Sequence, residues 1–110
     1  MKVFRIGLMG ERRAARYLRL SGMRLLERRY RTRHGEIDLI LRDGTDTVFV
    51  EVKARPRGAA GDGFAAINAE KRRRLRLAAE CYLALHPAQG VRFDAVEITA
   101  EGLRHIKNAF

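Results

Sequence analysis

Gly35-Glu36-Ile37-Asp38-Leu39-Ile40, followed by Phe49-Val50-Glu51-Val52-Lys53, decides how this chain is read. In the first stretch Ile37, Leu39 and Leu41 are apolar, with Glu36 and Asp38 between them. In the second, Val48, Val50 and Val52 alternate with Phe49, Glu51 and Lys53. Period-two alternation marks half-buried β-strands. Asp43-Gly44-Thr45-Asp46 lies between them and is a turn signal, because glycine accepts a positive φ. A two-residue loop at Gly44-Thr45 opposes Asp43 to Asp46, Leu41 to Val48, Leu39 to Val50 and Ile37 to Val52. That is one continuous apolar face. The other face then sets Ile40 against Phe49, Asp38 against Glu51 and Glu36 against Lys53. A one-residue slip would put apolar side chains opposite charged ones, so the pattern supports this register.

The register has a chemical consequence. Opposed Cβ atoms lie about 4.5–5.5 Å apart, and like charges at that distance destabilise a sheet. Two carboxylates held so close suit a hard divalent cation, Mg²⁺ or Mn²⁺, which wants oxygen ligands. The plain alternative is a cross-strand ion pair between Glu36 and Lys53, with Asp38 and Glu51 in water near arginines.

The rest of the chain supplies the setting. With 110 residues, a single domain over residues 1–110 is expected. Lys and Arg number 23 against 13 Asp and Glu, a net charge of +10 that points to a polyanionic partner, most simply nucleic acid. No long apolar run favours a membrane. The single cysteine, Cys81, rules out an intramolecular disulfide and reads as a small core residue. Met1 to Arg5 lacks the apolar stretch of a signal peptide, and the expected location is the cytoplasm.

Residues 4–20 read as a helix, with Leu8, Glu11, Ala15 and Leu18 on one face and Ser21-Gly22 as its stop. Glu11 thus sits inside an apolar stripe, where an unpaired charge is costly. Residues 23–33 read as the first strand, and the hairpin supplies the second and third. Residues 55–63, with three glycines and Pro56, read as a mobile loop able to close over a ligand. A second helix runs from Phe64 or Asn68 to Leu85, with Asn68 as N-cap and Lys71 inside its apolar stripe. Residues 91–99 read as a fourth strand and 102–107 as a short fifth. The order αβββαβ predicts an α/β fold, a mixed sheet with flanking helices.

Glu11, Asp38, Glu51 and Lys53 break the local pattern in the same sense, and together they compose a site for phosphodiester hydrolysis. Asp38 and Glu51 would hold the metal, with the Val52 carbonyl as an extra ligand. The ion would polarise the phosphate and acidify a bound water. Glu11 would support the metal's waters or a second ion, and Lys53 would orient the attacking water and stabilise developing charge. Arg31, Arg33, Arg55, Arg57 and Lys71 are the candidate grips on flanking phosphates, fixing position without base readout.

The order Glu11, Asp38, Glu51-Val52-Lys53 resembles the PD-(D/E)xK motif of the restriction endonuclease-like superfamily. It is most similar to the bacterial YraN family, whose members are called endonucleases by similarity and which is itself similar to archaeal Holliday-junction resolvases. Gly10-Glu11, Arg33 with Gly35 to Ile40, Phe49 to Lys53 with Arg55, Lys71 with Arg74 and Leu75, Arg92-Phe93-Asp94 and His105-Ile106 carry the resemblance over nearly the whole chain. It implies metal-ligand roles for Asp38 and Glu51, a catalytic Lys53 and an accessory acid in Glu11. Tyr30 and Ala65 depart from the family pattern. The resulting expectation is a Mg²⁺- or Mn²⁺-dependent DNA endonuclease, with branched or junction DNA as the candidate substrate, for which a homodimer would be natural. Two other readings compete. One is a non-catalytic module that binds DNA or RNA and keeps the fold. The other is an assembly factor whose basic face meets RNA or protein.

Overall fold

The computed structural model describes residues 2–110, and side chains from residue 6 onward; Met1, the start of the terminus read above, lies outside the described residues. Eight elements follow one another: α1 Lys2–Leu20, β1 Arg24–Thr32, β2 Gly35–Asp43, β3 Asp46–Arg55, α2 Asp62–Ala65, α3 Ala69–Leu85, β4 Gly90–Thr99 and β5 Gly102–Ile106. The five strands form one sheet in the order β1-β2-β3-β4-β5. Only the β3–β4 pair is parallel, bridged by α3 in a βαβ connection. This is the expected αβββαβ order with β5 added, a mixed sheet flanked by helices.

The helices take opposite faces of the sheet. Ala14, Ala15 and Leu18 of α1 pack on Leu39, Leu41, Val48, Val50, Val52, Val96 and Ile98. Leu75, Ala78, Ala79 and Tyr82 of α3 pack on Ile40, Phe49 and Ala95. Full burial of each Val, Leu, Ile or Phe among these contributes roughly 1.5–3 kcal/mol, so three layers pin the hairpin from both sides. The caps are those the sequence announced. Gly22, at φ 102°, ends α1 in a Schellman motif, with Met23 N–H donating to Leu18 O and Gly22 N–H to Arg19 O. Asn68 caps α3, its side chain accepting from Lys71 N–H at 2.9 Å. Phe64 falls in the separate short helix α2, so the longer start considered for the second helix is not taken.

The hairpin keeps the expected register from Asp43↔Asp46 to Leu39↔Val50. Gly44 has φ 62°, which the tight loop requires. Beyond Leu39↔Val50 the β2–β3 ladder stops, and the expected pairs Asp38–Glu51, Ile37–Val52 and Glu36–Lys53 do not form. Ile37 joins Ile40 and Phe49 in the α3 cluster while Val52 stays in the α1 cluster. The apolar face is therefore broken at Asp38, and two features explain the break. The β1–β2 pairing passes from Arg28↔Leu39 to Tyr30↔Ile37, and Arg29 in that gap has φ 50°. A left-handed non-glycine residue is uncommon and costs on the order of 1–3 kcal/mol. The second feature is the Asp38 carboxylate itself, which enters the space a strand partner would fill.

Residues 55–63 are not the loose lid expected from their glycines. Ala59 N–H donates to Asp62 Oδ2 at 2.8 Å, Gly61 N–H to Glu97 Oε1 at 2.8 Å and Phe64 N–H to Glu97 Oε2 at 3.0 Å, while Ala60 N–H donates to Glu101. Carboxylates from β4 and the β4–β5 turn hold the segment in place. Cys81 is half-buried rather than part of the core.

Candidate functional site

Where β2 and β3 part, Asp38 Oδ2 accepts the Val52 N–H at 2.8 Å. A side chain thus takes over one ladder bond. In an extended strand the N–H and C=O of one residue point to the same edge, so the Val52 carbonyl also faces the gap beside Asp38. Glu51, only 2% exposed, reaches the same gap from β3 on the α3 side. Its Oε2 is buried with no hydrogen-bond donor aligned on it. Lys71 Nζ stands 3.1 Å away; it supplies charge without a directed hydrogen bond.

Electrostatics mark Asp38 as the strained member. Its carboxyl is held well above the ordinary carboxylate range, first by burial, then by hydrogen bonding with and repulsion from the Glu51 carboxyl. The Val52 N–H acts against this shift, and the Glu11 charge adds to it. A half-buried acid crowded against a buried one, so that the two cannot both ionise freely, is the arrangement a divalent cation relieves.

The other expected residues divide. Glu11, near the middle of α1, accepts from Arg29 Nε at 2.9 Å. Arg29 has a left-handed backbone, and its guanidinium feels the Glu11 charge first, then those of Glu36 and Asp38. Glu11 is therefore the arginine partner that a charge in an apolar stripe requires, while lying close enough to act on Asp38. Lys53 is half-buried and makes no ion pair among the described residues. Glu36, its expected partner in the plain alternative, pairs with Arg31 at 2.9 Å. Lys71 is turned inward to Glu51 rather than outward to a phosphate. Arg33, Arg55 and Arg57 are exposed. Arg33 Nε lies 3.3 Å from His34 Nε2, and Arg55 Nη1 donates to the Ala54 carbonyl.

Three contributors were not legible as site residues. Arg29 needed its φ to be known. Glu97 sits in Ala95-Val96-Glu97-Ile98, and its charge inside a buried strand was the available signal. Its carboxyl is held below the ordinary range: burial pushes it up, and the Gly61, Phe64 and Gly63 N–H groups outweigh that. Gly63 was read only as loop. A Cβ on it would lie 2.9 Å from Lys53 Cβ and 3.0 Å from Glu97 Cγ, so α2 rests directly on the stem of Lys53. Gly63→Ala is expected to cost roughly 1–3 kcal/mol by overpacking, seen as a lowered thermal midpoint; an unchanged midpoint would mean α2 is free to move off Lys53.

A profile of the family described as "Uncharacterised protein family UPF0102" matches residues 10–98. A UPF0102 protein of Dechloromonas aromatica is 52% identical over 104 residues, covering 94% of this chain and 87% of that one. Another, from Halorhodospira halophila, is 43% identical over 104 residues, covering 94% and 85%. The chain belongs to the UPF0102 family. The matched span of this UPF0102 chain runs from Gly10, beside Glu11, to Ile98, and so takes in Asp38, Glu51, Lys53, Lys71 and Glu97.

Among the described residues no three His, Cys, Asp or Glu side chains converge as a metal-holding group. What the site offers is two carboxylates and a main-chain oxygen. The donor set is all oxygen, and one buried carboxylate oxygen lacks an aligned partner. That fits a hard cation completing its shell with water and argues against a soft one. Among the described residues no helix is long and apolar enough to cross a membrane.

Proposed function

We propose that this protein is a metal-dependent nuclease hydrolysing phosphodiester bonds of DNA, with Mg²⁺ or Mn²⁺ held by Asp38, Glu51 and the Val52 carbonyl. The observation that carries the reading is half-buried Asp38 crowded against buried Glu51, whose Oε2 lacks an aligned donor. The resemblance of Asp38…Glu51-Val52-Lys53 to the PD-(D/E)xK motif supports it, as does the charge of +10. When bound, the cation would supply Lewis acidity toward a phosphate oxygen and a water of lowered pKa.

The remaining work falls to the chain. Lys53 makes no ion pair among the described residues, since the neighbouring Glu97 carboxylate is taken by the Gly61 and Phe64 N–H groups, so its ammonium is available to position the attacking water and to stabilise charge on the phosphoryl oxygens. Glu97 and α2 hold the Lys53 stem in place through Gly63. Arg29 and Glu11 set the field on Asp38 from the α1 side. Arg33, Arg55 and Arg57 are exposed cations for flanking phosphates.

One observation favours the non-catalytic binding module. Lys71 beside Glu51 partly balances the site without any metal. The two readings separate on Lys71→Met. If Lys71 is a stand-in for a divalent ion, its loss leaves the carboxylates uncompensated. The metal-free protein should then melt earlier and gain more from 5 mM MgCl2 or MnCl2 than wild type does, by about 4 °C or more. Equal gains in both would favour a retired site. The direct test is cleavage of labelled duplex, single strand, flap and four-way junction with either cation, wild type against Glu51→Gln. Metal-dependent products that vanish in the variant establish the nuclease. No products on any substrate overturn it.

A further inference from the structure

The arginines divide into two populations. On α3, Arg73 and Arg74 both pair with Glu70, at 2.9 and 3.1 Å, and hold its carboxyl down to about 2. Arg31 is spent on Glu36, and Arg92 on Asp43 and Asp94. On the outer side of α1, by contrast, Arg12, Arg16 and Arg19 are exposed and make no ion pair among the described residues. The helix repeat explains why they gather. With Ala14, Ala15 and Leu18 facing the sheet, residues 12, 16 and 19 fall on one flank, while Tyr17 falls on the other, where its ring meets His105 of β5. The arginine flank therefore leans toward β1.

There β1 continues the track. Arg24 joins Arg16 and Arg19 in lining an open groove of about 940 Å³, together with Leu20, Met23 and Leu25, and no acid lines it. Arg28 is paired with Leu39, whose side chain is in the α1 cluster, so Arg28 lies on the same face. Glu27, exposed on β1 between Arg24 and Arg28, is paired with Ile40 of the α3 cluster and so lies on the other face, and Glu11 is already held by Arg29. On the α1 face the positive charge of α1 and Arg28 has no paired acid among the described residues. Arg12 to Arg19 spans roughly 10 Å at 1.5 Å per residue, about three steps of a DNA strand at 3.4 Å each.

We infer that the α1–β1 edge, Arg12, Arg16, Arg19, Arg24 and Arg28, is the track on which the phosphate backbone of a nucleic acid lies. This rests on the nucleic-acid part of the function proposed above and not on its hydrolytic part. Such a face has no pattern of base-reading groups. The chemistry it recognises is a row of phosphodiesters, and Leu20, 78% exposed among the arginines, gives an apolar contact for a sugar or base edge.

The test is binding of a fluorescein-labelled 20-base-pair duplex, by anisotropy in EDTA between 50 and 200 mM salt. EDTA makes the readout independent of cleavage, so failure of the nuclease reading leaves it intact. Wild type is compared with Arg16→Gln/Arg19→Gln/Arg24→Gln and with the charge-matched Arg73→Gln/Arg74→Gln/Arg76→Gln on α3, each checked for an unchanged thermal midpoint. Each phosphate contact contributes about 0.9 to the slope of log K against log salt. The first triple should flatten the slope by about 2–3, and the second by less than 1. Equal flattening by both triples would mean that net charge alone drives binding. No flattening by the first would remove the track. Wild type that ignores the duplex but binds phosphatidylserine vesicles would assign the face to a membrane surface and overturn the inference.

Discussion

Asp38→Asn should abolish metal-dependent cleavage and at the same time raise the thermal midpoint of the metal-free protein at neutral pH. The two effects share one origin. Asparagine keeps a side-chain oxygen able to accept the Val52 N–H, so the bond that replaces the ladder survives. It removes one of two crowded charges, so the repulsion with Glu51 disappears. Relief of roughly 1 kcal/mol raises the midpoint of a domain this size by about 4–8 °C. Loss of a ligand charge should lower cleavage by at least about 10²–10³-fold. The pH dependence follows with its sign. The Asp38 carboxyl is held above its unfolded value, so the folded state keeps that proton longer. Its contribution to stability is present at low pH and is lost as pH rises from about 4 through the raised value. Melts of wild type and variant across pH 4–8 should therefore diverge as pH rises, the variant staying flatter. Parallel curves, or a midpoint that falls in the variant, would show that the pair is not under strain.

Asp94→Ala should be the most destabilising single change away from the site. Asp94 is completely buried and accepts from Arg92 Nε at 3.0 Å and from the Asn108 N–H at 3.1 Å, while His105 Nε2 lies 2.8 Å from it. Arg92 reaches on to Asp43 at 2.9 Å, so one carboxylate ties β4, β5, the C-terminal residues and the end of β2 together. Removing it leaves a mostly buried guanidinium held only from the Asp43 side and a buried imidazole without its carboxylate. Breaking a buried pair in this way costs about 3–5 kcal/mol, a fall in midpoint of more than about 10 °C. Here the pH sign is opposite to that of Asp38. The carboxyl is held below its ordinary range because His105, Arg92 and the Asn108 N–H outweigh its burial. Its stabilisation is full above about pH 4 and is lost as pH falls through the lowered value. Wild type should accordingly lose stability on acidification below pH 4, and Asp94→Ala should lose less over that window. A fall of only a few degrees in the Ala variant at neutral pH would show that the network is not a tie.

The fold was legible wherever a period could be counted. The hairpin alternation gave the register up to Leu39↔Val50, and the repeat of Leu75, Ala78 and Tyr82 gave the buried face of α3. Asn68 and Gly22 gave helix ends because their chemistry is local. Periodicity failed where a side chain takes over a backbone role. Counting by twos carried Ile37 onto the α1 face, but Asp38 bonds to Val52, the ladder stops and Ile37 turns to α3. Composition misled in a similar way at residues 55–63, where glycines suggested freedom while distant Glu97 and Glu101 supplied the restraint. Of the site, the four charged positions could be named from sequence, but their partners could not. That Lys71 meets Glu51 and Arg29 meets Glu11 depends on which layer each element joins.

The Val52 amide hydrogen gives the site a reporter of its own. It belongs to the main chain of a central strand, yet its acceptor is an ionisable side chain. Its chemical shift and its exchange with deuterium should therefore follow the charge on Asp38. A single amide resonance, read in a metal titration or a pH series, would register occupancy of the gap with no substrate, no turnover and no substitution in the chain.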